Sequence, residues 1–394
     1  ALELDPDRDA ILYSKLAESE GNIGMYEEAY EHMVVFLQNP DVKGDLKTKA
    51  IKLRKNYEFA KEAVKNPVNF NPYNMGTEIN SDFPEYFPSL SVDGKTMVMT
   101  RRIDDVISLG PGDSRKIEQE DFYISFLENG TWTPAQNMGA PINTKMNQGA
   151  QSISADGRFL FYTSCEDLEN GYGSCDLYYS LKIGNIWSNP ENCGTIINTA
   201  DWESQPSVTA DGRELFFSSG RPGGKGSYDL WHAKLGEDGY WMEPENLGDV
   251  INTPYLEQCP FIHPDGKTLY FASEGHPGMG SADLFYSTRD ENGVWSKPIN
   301  LGYPINTQNR EISLSVSSNG TTAYFSSDRD KTLGDLDIYS FELPPAVQAE
   351  QVTWVNAIVT DAKTKQPLKA SVQLRNIATG EIVASSNSGP RTGE

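Results

Sequence analysis

The sequence predicts a multidomain chain, α-helical at its start and all-β thereafter. Residues 1–66 read as a helical segment, 67–343 as a five-bladed β-propeller (six blades being the alternative), 344–350 as a linker and 351–394 as the start of a partial β-sandwich. Three observations carry this. Apolar residues before Asn66 recur at three- and four-residue spacing, which lines one face of a helix. One pattern of Gly, Asn and Asp turns around short apolar runs then recurs five times between Phe70 and Phe341. Strand-like apolar runs resume after Val352, beyond the Pro-containing stretch Leu343-Pro344-Pro345-Ala346.

Composition bounds what such a chain can do. With 38% hydrophobic and 23% charged residues, its 394 residues suit a packed soluble protein rather than a disordered one. The 33 Lys and Arg against 56 Asp and Glu leave a formal charge of −23, which excludes nucleic acid and anionic bilayers as partners drawn by long-range charge. No run approaches the ~20 apolar residues of a transmembrane segment. Ala1-Leu2-Glu3-Leu4-Asp5-Pro6 lacks the parts of a signal peptide, so an exported protein would have had its address removed. Four cysteines are too few for a disulfide scaffold and none has zinc spacing.

In the helical segment, Leu12, Leu16 and Ala17, then Ala29, Met33, Phe36 and Leu37, mark two helices broken at Gly21-Asn22 and Pro40, and a third runs from about Leu46 to Lys65. Pro6 and Pro40 stand one tetratricopeptide period of about 34 residues apart. With Tyr26-Glu27-Glu28-Ala29, the segment resembles that repeat. Since Ala1 falls inside what would be the second helix of an earlier repeat, the natural protein is expected to start further upstream. Lys43, Lys47, Lys49, Lys52, Arg54 and Lys55 place a basic patch on the third helix, read first as a solvated face and otherwise as a dock for an acidic partner.

The five copies share an Asn-x-Gly element at Asn74, Asn137, Asn192, Asn246 and Asn300, and an Asp-Gly turn at Asp93, Asp156, Asp211 and Asp265, with Asn319-Gly320 in the last. A period near 55 residues holding about four short strands predicts propeller blades, because each small sheet buries both faces only between neighbours. Trp132, Trp187, Trp241 and Trp295 are expected to mark fourth strands. The fifth copy has no such tryptophan, and Phe70-Asn71-Pro72-Tyr73-Asn74 is expected to supply its missing strand and lock the ring. Asp-Gly, then Leu215-Phe216-Phe217-Ser218-Ser219, Gly223-Gly224 and Asp229-Leu230-Trp231 resemble the TolB-like propeller repeat. Thr360-Asp361, Pro367-Leu368 and Ala370-Ser371-Val372-Gln373-Leu374 resemble the opening strands of a carboxypeptidase regulatory-like sandwich, which the chain leaves before completing.

No catalytic constellation is visible. The four histidines are scattered, and no His-Glu-x-x-His, Gly-x-Ser-x-Gly or Walker loop occurs. Asp121, Asp176, Asp229, Asp283 and Asp337 recur once per blade and read as architecture, accepting hydrogen bonds in turns; calcium in these loops is the alternative. No other cofactor is expected. Glu85, Glu203, Glu257 and Glu311 share one position, with Gln148 in the second copy, and are candidates for a partner-binding ring near the channel mouth; bonding to the adjacent blade is the structural reading. The Gly-rich loops should share that face. The first copy has the longest of them, and Arg102 to Glu120, with Arg102, Asp104, Asp105, Arg115 and Lys116, is the candidate partner-binding loop, disorder being the other reading. Cys165 and Cys175 flank the equivalent loop of the second copy, where a disulfide suits an oxidising periplasm and two unrelated thiols are the other reading.

The order of helical repeat, TolB-like propeller and regulatory-like sandwich resembles the PorE-type components of the type IX secretion system, multidomain OmpA-family envelope proteins. The resemblance implies a non-enzymatic periplasmic scaffold associated with the outer membrane. It implies outer-membrane and periplasmic secretion proteins as partners, and peptidoglycan held through a C-terminal OmpA-like domain that this chain lacks. The alternative is a propeller that captures a peptide or glycan in the envelope.

Overall fold

The computed structural model describes residues 11–110, 113–165, 170–184, 186–328, 332–355 and 357–388. They fall into two compact units, Ala1–Val352 and Thr353–Glu394. Among them no helix is long and apolar enough to cross a membrane.

Three helices open the first unit: α1 (Ile11–Asn22), α2 (Tyr26–Gln38) and α3 (Gly44–Ala63). Their apolar stripes meet in a core of Ala17, Ala29, Met33, Phe36, Ala50, Tyr57 and Ala60. Gly21 is required there, since a Cβ on it would stand 2.5 Å from the Tyr57 ring. The propeller covers one side of these three helices, and Met279 and Tyr303 join the helical core. The basic patch of α3 divides accordingly. Lys49 pairs with Glu18 at 2.9 Å, while Lys52 lies 3.5 Å over the Tyr255 ring of the propeller.

Five antiparallel sheets follow. Their inner strands are Glu85–Leu90, Asn147–Ile153, Glu203–Val208, Glu257–Ile262 and Ser315–Val316. Their third strands are Asp113–Glu128, Cys175–Ile183, Asp229–Lys234, Asp283–Thr288 and Asp337–Glu342. The outermost strand of the fifth blade is Tyr73–Asn74, with Tyr73 opposite Ser340 and Asn74 opposite Tyr339, so the segment ahead of the first blade closes the ring. A separate apolar core fills each gap between blades, such as Phe216 with Phe271 between the third and fourth, and Met97 with Ile338 at the closure. In the third and fourth blades the fourth strands are Glu245–Asn246 and Ile299–Asn300, after the tryptophans. In the first two blades both the tryptophan strands, Thr131–Trp132 and Ile186–Trp187, and the later Gln136–Asn137 and Glu191–Asn192 pair with the third strand. Trp132 and Trp187 lie in short hairpin extensions, Trp241 and Trp295 in single bridges. Trp241 and Trp295 then meet Phe161 and Phe216 of the preceding blade edge-on.

Residues 344–350 are not a free linker. Leu343 and Val347 belong to the core between the fourth and fifth blades, and the Tyr270 hydroxyl donates to the Val347 carbonyl at 2.7 Å. The Val352 amide still bonds to the Ser318 carbonyl. The second unit holds one antiparallel hairpin, Ser371–Arg375 with Ile382–Asn387, and a bridge between Thr360 and Pro367. This hairpin is what the described residues hold where the opening strands of a sandwich were expected; no second sheet packs on it among them, and Ile358, Leu374 and Ile382 are exposed.

Candidate functional site

Inner strands begin, and second-to-third loops turn, on the same face of a four-stranded meander, so that face gathers the non-repeating residues. Phe87, Ala150, Gln205, Cys259 and Ser313, one per blade, adopt φ between 51° and 58°, a region costing roughly 1–2 kcal/mol for a residue with a side chain. They sit where the inner-strand register slips, as between Tyr86 and Ser89 and between Gln258 and Phe261. Together with their neighbours they line a cavity of about 30 Å³, small enough to hold only a water or so. A larger cavity of about 570 Å³ opens between the first and fifth blades, within the ~300–1,000 Å³ of ligand pockets.

The four glutamates are not an open ring at that mouth. Glu85, Glu203 and Glu257 are 0% exposed and Glu311 is 6% exposed. Each accepts the amide and hydroxyl of a residue four positions earlier: Ser81, Thr199, Thr253 or Thr307. Ser219 and Ser273 donate to Glu203 and Glu257, while Arg101 pairs with Glu85 at 2.5 Å. Gln148 makes the same bonds to Thr144 without charge. This is the bonding expected of buried acceptors, and it staples each inter-blade loop to its inner strand. Burial pushes the carboxyls of Glu85 and Glu257 above their ordinary pKa despite these bonds.

The recurring aspartates are likewise consumed. Asp229 accepts the amides of Lys225 and Gly226, Asp283 those of Met279 and Gly280, and Asp337 those of Leu333 and Gly334. Asn74, Asn137 and Asn246 add side-chain amides to Asp337, Asp121 and Asp229. Calcium does not fit this donor set, because an ion there would face amide hydrogens.

Arg102 to Glu120 is not a loop but the outer part of a β-ribbon, Thr96–Gly110 against Asp113–Glu128. Past the Arg102 and Glu120 pair its strands match only each other among the described residues. Gly110-Pro111-Gly112 was the visible turn signal for it. The ribbon brings Arg102 to the cavity wall, 3.8 Å from Glu118 and 3.7 Å from Asp335. Asp104 is exposed, and the side chains of Asp105, Arg115 and Lys116 lie outside the described residues. In the second blade, the loop at the same place is bridged by a disulfide between Cys165 and Cys175.

Sequence reasoning did not single out Tyr86 or Arg310, which line the cavity together with Glu120 from the end of the candidate loop. The Tyr86 hydroxyl donates to Glu120 at 2.5 Å, and burial beside that carboxylate raises its pKa. The turn between α1 and α2 borders the same wall, where a Cβ on Gly24 would stand 4.0 Å from Gln308 Oε1.

No protein-family model and no curated protein matches the chain. Several solved structures are similar to the chain. TolB from Acinetobacter baumannii is 14% identical, with 78% of this chain and 71% of that chain covered and a TM-score of 0.41. A glycoside hydrolase is 11% identical, covering 75% and 97%, with a TM-score of 0.45. The α-L-arabinofuranosidase from Lactobacillus brevis is 12% identical, covering 69% and 92%, with a TM-score of 0.43. On both measures the likeness is distant.

Proposed function

We propose that this chain is a non-enzymatic binding module of the bacterial envelope that holds protein partners on the loop face of its propeller. The observation that carries the reading is the β-ribbon standing beside the open cavity. Between Ile103 and Gln119 it leaves both strand edges without a third strand among the described residues, and an unpaired edge is a template for strand addition by another chain. The recurring carboxylates support the same reading, since each is committed to backbone or side-chain donors rather than aimed as an acid–base pair across a cavity. The Cys165–Cys175 bond suits an oxidising compartment such as the periplasm. In this proposal the partners are outer-membrane and periplasmic proteins of a secretion machinery, and the tie to peptidoglycan runs through a further C-terminal domain.

Affinity capture of the full-length protein from crosslinked envelopes tests it, with a variant lacking residues 103–120 run in parallel. Recovery of outer-membrane proteins that disappears with the ribbon is the expected result. Equal recovery from both would remove the ribbon from the proposal, and recovery of no envelope protein would end the scaffold reading.

A further inference from the structure

The repeat separates architecture from function. The position before the buried Glu or Gln is Pro84, Asn147, Trp202, Leu256 and Arg310 in successive copies, so a charge stands there in the fifth blade alone. The backbone at this position is fixed, because Trp202, Leu256 and Arg310 each form a parallel bridge to the preceding blade, at Cys175, Tyr228 and Ala282. Arg310 therefore projects from a rigid base into the wall of the mouth cavity.

Its electrostatic setting is equally distinctive. Arg101, Arg102, Arg158, Arg213, Arg221 and Arg289 of the propeller each have a carboxylate partner. The guanidinium of Arg310, exposed in a chain of net charge −23, forms no ion pair and no hydrogen bond among the described residues. Across the cavity Arg102 is held only loosely, at 3.7 Å or more from its two carboxylates, and its side chain is 39% exposed. A guanidinium presents a planar fork of donors that matches a carboxylate in bidentate fashion. Glu120 and Asp328 in the same lining repel a dianion such as phosphate more strongly than a single negative charge. Phe87, Ile312 and Leu336 supply apolar surface beside the fork, the usual composition of a small-ligand pocket.

We infer that the mouth cavity recognises a carboxylate-bearing end group, bound by the Arg310 guanidinium with Arg102 as the second positive wall. A peptide C-terminus and an acidic glycan share this chemistry. The inference rests on the binding-module reading, but its test is independent of partner capture: binding of end groups can be measured on the purified chain whether or not envelope proteins are recovered through the ribbon.

The experiment follows the Arg310 Nε–H resonance by NMR, assigned by its loss in Arg310→Gln. The probes are a randomised tripeptide pool with free C-termini, the same pool amidated, a galacturonate trimer, and acetate. A saturable shift with the free-acid pool, weakened at least tenfold by amidation and by Arg102→Gln, supports a peptide source. The same behaviour with galacturonate alone supports a glycan source. Arg213→Gln, on an exposed arginine outside the cavity, should leave either titration unchanged. The inference is overturned if acid and amide pools bind equally, if acetate matches them, or if no probe moves the resonance.

Discussion

Asp283 is 2% exposed and accepts amide bonds from Met279 and Gly280, yet burial still raises its pKa to about 6. A carboxyl with a higher pKa folded than unfolded contributes stability that is full below its ordinary value near 3.8 and lost as pH rises through about 6. At about 1.4 kcal/mol per pH unit this is on the order of 3 kcal/mol. Glu214 and Asp265, both lowered to about 2, act in the opposite sense, but below this window, losing their contribution as pH falls. Asp283→Asn should therefore flatten the decline of stability between about pH 4 and pH 6. Part of the slope remains, because Glu85, Asp176 and Glu257 are shifted in the same direction. Urea midpoints across that range check it, and parallel curves for the two proteins would refute it. At this scale the sequence told residue type and recurrence but not exposure. The spacing of Glu203 from Thr199 is the same whether the carboxylate faces solvent or accepts the hydroxyl at 2.9 Å. Arg310 was legible as a departure from its four uncharged counterparts, but nothing in the spacing tells whether such a departure faces a cavity or open solvent.

At the scale of elements, the closing strand was readable because its segment follows the pattern of the other outermost strands up to the Asn. That asparagine does the same work in every blade. Asn246 Nδ2 donates to Asp229, while its Oδ1 accepts from Gly248 and Asn252. Asn74 repeats this with Asp337, Gly76 and Asn80. Truncating either leaves buried polar groups short of partners, at about 1–3 kcal/mol for each. Asn74→Ala should cost more than Asn246→Ala, since the strand at Asn246 is continuous with its own blade while Asn74 belongs to the two-residue closure. Thermal unfolding of both variants decides this; equal losses would mean the closure is no weaker than an ordinary blade edge. The ribbon was harder to foresee, because a long insertion between strands can be coil or paired strands with the same composition.

At the scale of the molecule, the boundary lies after Val352 rather than at Leu343, because Val347 is buried between blades and the Pro345–Val347 turn carries the Tyr270 bond. Proline had made this stretch read as a spacer, although proline equally suits a turn packed on a core. A chain ending at Val352 should melt within about 2 °C of the longer one, whereas one ending at Leu343 forfeits about 3 kcal/mol of burial and hydrogen bonding and melts several degrees lower. Calorimetry of the two truncations distinguishes them, and identical melting would show that 344–352 contributes nothing. The closure also has a mechanical meaning. The chain enters the ring at Tyr73 and finishes it at Glu342, and those two passages are paired with each other. A pull between the segments flanking the propeller reaches that seam before any blade is strained. The Val68 amide bonded to the Tyr303 carbonyl, and Val352 bonded to Ser318, stand on either side of it. Tension would be taken up first by these anchors and then by peeling of the seam, so the ring is set to open there and the other four blades to stay whole.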